Sequence, residues 1–183
     1  SEAFTSDNNT DFSVQLDKAK ESGADLVFLP IYYQEASVIL KQANDKDFHP
    51  QFFGCDGMDG ILDLDGFDAS LAEDLMFLTP FTANATDEAT QKFVADYKEA
   101  FGDTPIQFAA DAYDGVYAIK AAAEKAEITP DMENADISAA MSASMANIEL
   151  DGLTGKAKWT EDGECDKEPK AFEIKDGAYV EMK

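Results

Sequence analysis

Histidine is nearly missing from the 183-residue sequence: the single one, His49, sits in the polar turn Asp47–Phe48–His49–Pro50. It reads as a solvated turn residue, and a Ser-His or Cys-His catalytic pair would have no other imidazole to use. Cysteine is almost as scarce. Cys55 and Cys165 are too few for a disulfide framework, and whether they pair is left open. With so few imidazoles and thiols a transition-metal site has almost no ligands, and none is expected. Basic residues are also short: 14 Lys+Arg stand against 38 Asp+Glu, a formal net charge of -24. A field of that sign repels phosphate backbones and anionic head groups, so a nucleic-acid or membrane-surface binder is excluded. The longest apolar run, Leu26 to Tyr33, is broken by Pro30 and falls far short of the ~20 residues that span a bilayer. No glycine-rich phosphate loop is present. Gly54-Cys55-Asp56-Gly57 lacks the spacing of either nucleotide fingerprint, and no cofactor is expected. The chain opens with Ser1-Glu2-Ala3-Phe4-Thr5, without Met, signal peptide or lipid-attachment Cys, and so looks like a processed or cut piece.

What is present is core material: 45% of residues are hydrophobic, with 13 Phe and 6 Tyr. Asp11 is a good cap for a helix running to Ser22, with Phe12, Leu16 and Ala19 on one face and Gly23 as its stop. The apolar run from Ala24 to Leu29 reads as a strand covered on both faces of a parallel sheet. A helix over Gln34–Asn44 follows, then strands at Gln51–Gly54 and Leu75–Thr79. Alternation at this spacing predicts right-handed βαβ crossovers and an α/β layered fold. The character then becomes helical, with segments from Glu88 to about Ala100, Gln107 to Ala126, and Ile137 to Met145. Met132, Met141 and Met145 are spaced as core filler. The tail reads as strands at Gly155–Trp159, Ala171–Ile174 and Ala178–Glu181.

The most informative stretches are Leu29-Pro30-Ile31-Tyr32-Tyr33-Gln34-Glu35 and Phe52-Phe53-Gly54-Cys55-Asp56-Gly57-Met58. In each, an apolar strand ends and polar or aromatic residues appear before the next helix. Ligands of open α/β sheets bind just past such carboxyl ends. Tyr32 and Asp56 are therefore expected at the mouth of one cleft. The carboxylate, given backbone freedom by its flanking glycines, could hold an ammonium group, and the phenol offers an apolar face and a hydroxyl. The alternative for Asp56 is a turn carboxylate capping the next helix. A calcium loop over Asp56–Asp68 fails: with Asp63, Asp65 and Gly66 in register, Ala72 falls where a bidentate Glu belongs. A hydrolase reading also lacks support, because neither Cys55 nor any Ser has His49 at an arguable distance.

In order along the chain, Thr10-Asp11-Phe12-Ser13, Ser22-Gly23-Ala24-Asp25-Leu26-Val27-Phe28, Tyr32-Tyr33-Gln34-Glu35-Ala36 and Phe53-Gly54-Cys55-Asp56-Gly57 resemble the second half of the branched-chain amino acid substrate-binding proteins of ABC transporters. The likeness continues through Phe93, Tyr97, Phe101-Gly102-Asp103-Thr104-Pro105, Ala112-Tyr113-Asp114-Gly115-Val116-Tyr117, Gly152-Leu153-Thr154-Gly155 and Glu161-Asp162-Gly163. The resemblance implies a type I periplasmic-binding-protein fold, in which two α/β lobes close over an amino acid. By it, residues 1–83 form most of lobe two, a parallel sheet flanked by helices but lacking its first strand and helix. Residues 84–147 are a helical segment of lobe one, and 148–183 are the hinge return and C-terminal strands.

The resemblance also implies the site and the role. Tyr32 matches the pocket tyrosine of lobe two, Asp56 the acid that binds the α-ammonium, and Tyr33 and Met58 are further pocket candidates. Met58 stands where an aromatic residue is common. The implied function is extracytoplasmic, in the periplasm or lipid-anchored at the outer face of the membrane. It is non-enzymatic: delivery of an amino acid, with Leu, Ile and Val the usual cargo, to a membrane permease and its ATPase. The alternatives are a sensor domain of the same fold, or a binder of amides or other small metabolites. A chain lacking most of lobe one leaves the apolar faces of its helices bare, and it is expected to self-associate.

Overall fold

A computed structural model of the chain describes residues 1–182. The first elements are α1 (Ser13–Glu21), β1 (Leu26–Leu29), α2 (Tyr33–Asp45), β2 (Gln51–Gly54) and β3 (Met76–Leu78). Asp11 is not the cap of α1: Phe12 holds that position, and Asp11, one residue earlier, accepts from the Ser13 amide at 2.9 Å; Gly23, at φ 73°, ends the turn after the helix. Phe12 and Leu16 are buried, and the Gln42 side chain ties α1 to α2. It accepts from the Phe12 amide at 2.8 Å and donates to the Thr10 carbonyl at 3.0 Å. β1 and β2 run parallel with Leu29 opposite Gly54, and β2 and β3 run parallel in turn. Three short 3-10 turns, Asp56–Met58, Ile61–Asp63 and Ala69–Ala72, fill the connection between β2 and β3.

The chain then forms α3 (Glu88–Phe101), α4 (Gln107–Lys125), α5 (Asn134–Met145), β4 (Glu149–Gly152), β5 (Gly155–Trp159) and β6 (Cys165–Lys167). Asp87 caps α3 by accepting from the Thr90 amide at 2.9 Å. α4 is long because alanine-rich sequence favours helix, and it buries Gln107, Ala110, Asp114, Ala118 and Ala122 along one stripe. Met141 and Met145 of α5 pack on the cluster of Ala118, Ala122 and Ile148. β4, β5 and β6 make an antiparallel sheet in that order. The last strands, β7 (Ala171–Lys175) and β8 (Ala178–Glu181), return to the first sheet. Its order is β1-β2-β3-β7-β8, with β7 antiparallel to β3 and to β8. Asp176 and Gly177, at φ 51° and 72°, make the tight turn joining these two strands.

Two compact units result: Ser1–Thr79 with the chain from Lys170 on, and Pro80–Pro169. The expected 148–183 segment is thus divided at Pro169, its first part joining the helices of 84–147. The α/β class and the order of its main elements agree with the sequence reading. The cover of β1 differs from the expectation. β1 is not covered on both faces: Leu26 and Phe28 are 56% and 54% exposed, while Leu29 is buried. β1 is the edge of its sheet, and the helices of this unit, α1 and α2, share one core with Val27 and Leu29.

Candidate functional site

Because Leu29 pairs with Gly54, the chain leaves β1 and β2 at the same level of the sheet. Beyond β1, Pro30 and Ile31 lead to Tyr32, whose extended backbone (φ -89°, ψ 160°) precedes the first turn of α2. Beyond β2, extended Cys55 leads to Asp56, the first residue of a 3-10 turn. Met58 folds back from that turn and is fully buried, lying so close to Gly54 that a Cβ there would meet its Sδ at 3.1 Å. A Cβ on Gly57 would stand 2.5 Å from the Ile31 carbonyl oxygen and 3.2 Å from the Tyr32 Cα. The two loops are therefore in backbone contact. Tyr32, 61% exposed, and exposed Asp56 stand on adjacent loops at the carboxyl end of a parallel pair.

The structure separates the four candidates by burial. Tyr32 and Asp56 present side chains to solvent. Tyr33 is half-buried and packs against the core, and Met58 is wholly a core side chain. The flanking glycines do not give Asp56 freedom, as the sequence suggested; both are close-packed, and neither has positive φ.

The electrostatics of this end are negative. Glu35 holds the Asn9 amide at 3.0 Å, and Asp59 is buried. Burial pushes the Cys55 thiol up from its ordinary pKa, and the Asp56 charge adds to the rise. The Tyr179 hydroxyl accepts from the Gly60 amide at 3.1 Å. Burial first, then the Asp59 charge, hold that phenol well above the usual range. Such a surface suits a ligand group that is cationic and donates hydrogen bonds, with a carboxylate to receive it and an aromatic face beside it.

Other candidates carry no chemistry of this kind. His49 is exposed and within 3.2 Å of the Asp47 carboxylate in its own turn. Cys55, half-buried, and Cys165, exposed, are both free thiols. Among the described residues no group of three or more His, Cys, Asp and Glu side chains is placed to hold a metal ion. None of the helices described is long and apolar enough to cross a membrane.

Two segments far apart in sequence, around Asp114 and over Gly152-Leu153-Thr154-Gly155, lock together. Asp114 of α4 is buried and accepts from the Leu153 amide at 2.9 Å, the Thr154 amide at 2.8 Å and the Thr154 hydroxyl at 2.7 Å. Lys167 donates to that hydroxyl at 2.6 Å. A Cβ on Gly152 would lie 2.5 Å from the Asp114 Cγ, so glycine there makes room for the carboxylate. The signal available was an acid on the small-residue stripe of α4, where a buried charge needs partners.

Parallel strands whose following loops meet at their carboxyl ends are the frame on which open α/β folds build ligand sites. The chain belongs to the periplasmic binding protein family, whose profile matches residues 1–178. It is similar to a leucine-binding protein of Thermotoga maritima (25% identity, TM-score 0.78), covering 99% of this chain and 50% of that one. A branched-chain amino acid transporter substrate-binding protein of Streptococcus pneumoniae, solved with isoleucine, matches at 24% identity and TM-score 0.72, covering 98% and 51%. A solute-binding protein of R. palustris, solved with benzoate, matches at 16% identity and TM-score 0.77, covering 94% and 46%. The chain thus spans about half the length of these relatives. None of the curated proteins compared matches the sequence.

Proposed function

We propose that the chain is part of the extracytoplasmic solute-binding component of an ABC importer for amino acids, and that Tyr32 and Asp56 hold the amine end of the ligand. The placement of these two exposed residues on loops whose backbones touch carries the reading. Tyr33 and Met58 act from beneath, Tyr33 packed against the core under its loop and Met58 as the packed floor of the Asp56 turn. The cargo is a branched-chain amino acid, a reading supported by the leucine- and isoleucine-related relatives. The protein binds and releases without turnover and works outside the cytoplasmic membrane, in the periplasm or on a lipid anchor. It delivers ligand to a permease and its ATPase.

The benzoate-bound relative offers a second reading, an aromatic carboxylate as cargo. The carboxylate of Asp56 and the chain's net charge of -24 weigh against it, since a ligand with only negative charge would meet repulsion there. The apolar side chains exposed on β1 and on α4 (Val116 and Ile119) support self-association of this chain.

Calorimetric titration with L-leucine, its 2-hydroxy analogue and benzoate tests the proposal. A chain of half the relatives' length offers only part of a full contact set, and each charge-assisted hydrogen bond contributes about 1.5–3 kcal/mol. Affinity for leucine on the order of millimolar is expected, with the hydroxy analogue weaker. Equal binding of leucine and its hydroxy analogue, or preference for benzoate, would refute the amine assignment.

A further inference from the structure

We infer that Gly57 is a positioning residue for ligand binding: having no side chain, it lets the Asp56 turn rest on the Ile31–Tyr32 peptide and so sets the reach between carboxylate and phenol. The inference rests on the proposed roles of Tyr32 and Asp56. Gly57 is not among the glycines with positive φ, so its conformation is open to any L residue. What excludes a side chain is space. A Cβ would meet the Ile31 carbonyl carbon at 3.1 Å and its oxygen at 2.5 Å, and both are backbone atoms that no rotamer change can move aside.

The turn is held at a second point. Met58 is fully buried in the core of the same unit and is packed against Gly54, where a Cβ would meet its Cε at 2.8 Å. Asp56 is thus exposed on a short turn pinned from below by Met58 and from the side by Gly57. A carboxylate that recognises an ammonium group through directional hydrogen bonds gains from such a fixed platform, because little ordering remains to be done on binding. Adding one methyl group at position 57 forces the loops apart. Tyr32 and Asp56 then no longer address the same ligand group.

Nuclear magnetic resonance on the 183-residue chain separates this inference from the function on which it rests. Without ligand, NOEs between residue 57 and residues 31–32 report the loop contact. With L-leucine as probe, saturable amide shifts at residues 32 and 56–58 report binding. Gly57→Ala is expected to weaken the NOEs from the residue 57 amide to residues 31–32 and to weaken leucine binding by about tenfold or more, the effect of one charge-assisted hydrogen bond. Ile174→Val, a core change elsewhere in this unit, should lower the melting temperature while leaving NOEs and affinity alone. If Gly57→Ala does not fold, Met58→Ala loosens the other anchor without adding bulk and should weaken the same NOEs. Wild-type affinity in a folded Gly57→Ala or Met58→Ala protein, or NOEs of undiminished strength, would overturn the inference. A wild-type chain that shows the NOEs but no leucine-dependent shift would instead refute the function and remove the ligand this turn is said to position.

Discussion

Replacing Asp114 by asparagine tests how the hairpin of β4 and β5 is fastened to α4. The wild-type carboxylate takes hydrogen bonds on both oxygens: one oxygen from the Leu153 amide, the other from the Thr154 amide and hydroxyl. Asparagine keeps the shape but supplies one acceptor oxygen and an NH₂ group. Whichever way it is turned, at least one backbone N–H faces a donor in a buried place. Hydrogen bonds to charged groups contribute about 1.5–3 kcal/mol each, and an unsatisfied buried donor costs about 1–3 kcal/mol. A destabilisation of about 3 kcal/mol follows for Asp114→Asn, and a somewhat larger one for Asp114→Ala. Hydrogen exchange reads it locally. The Leu153 and Thr154 amides should be strongly protected in the wild type and exchange on the order of a hundredfold faster in the variant. Thr154→Val, which removes only the hydroxyl shared with Lys167, should cost less, about 1 kcal/mol. An Asp114→Asn protein with unchanged protection at these two amides and stability within about 0.5 kcal/mol of wild type would refute the lock.

The remaining predictions concern titration, thiols and association. The buried Tyr179 phenol has its pKa raised in the folded chain, so the folded state holds that proton more tightly than the unfolded one. Its contribution is therefore complete below the ordinary phenol pKa of about 10 and is lost as pH rises above it. Alkaline ultraviolet titration should leave Tyr179 untitrated until the protein unfolds, and Tyr179→Phe should remove that late step. Exposed Cys165 should react quickly with a thiol reagent at pH 8, and half-buried Cys55, its pKa raised, slowly; equal rates would contradict the burial. Sedimentation should show self-association that strengthens with salt as the like charges are screened, and that weakens in Phe28→Lys. A chain that stays monomeric at every salt concentration would count against an apolar interface.

The elements that the sequence made legible are those with strong local signals. Asp87 announces a helix start, Asp11 falls one residue short of one, Gly23 and Gly102 follow helix ends, and the alanines of α4 need little else to form a helix. β4 and β6 escaped notice because Glu-Leu-Asp-Gly and Cys-Asp-Lys carry no apolar alternation; partner strands define them. The two-sided cover expected for β1 failed for a related reason. A continuous apolar run records that a strand is hydrophobic, whereas its cover depends on elements elsewhere in the chain.

Glycine is where local reading and structure diverge most. Gly23 and Gly102 do what the sequence implies, adopting the left-handed conformation that ends a helix. Gly54, Gly57 and Gly152 look the same in the sequence yet serve a different purpose, clearing space for Met58, for the Ile31–Tyr32 peptide and for the Asp114 carboxylate. The contacts of Gly57 and Gly152 join residues from different elements, so no window of sequence contains the reason; that of Gly54 joins the two ends of one turn and depends on Met58 folding back. The same holds for the candidate site. Tyr32 and Asp56 could be placed at strand ends from hydrophobic pattern alone, but that they stand on touching loops depends on Gly57. A residue usually taken as a sign of looseness is here what makes the arrangement tight.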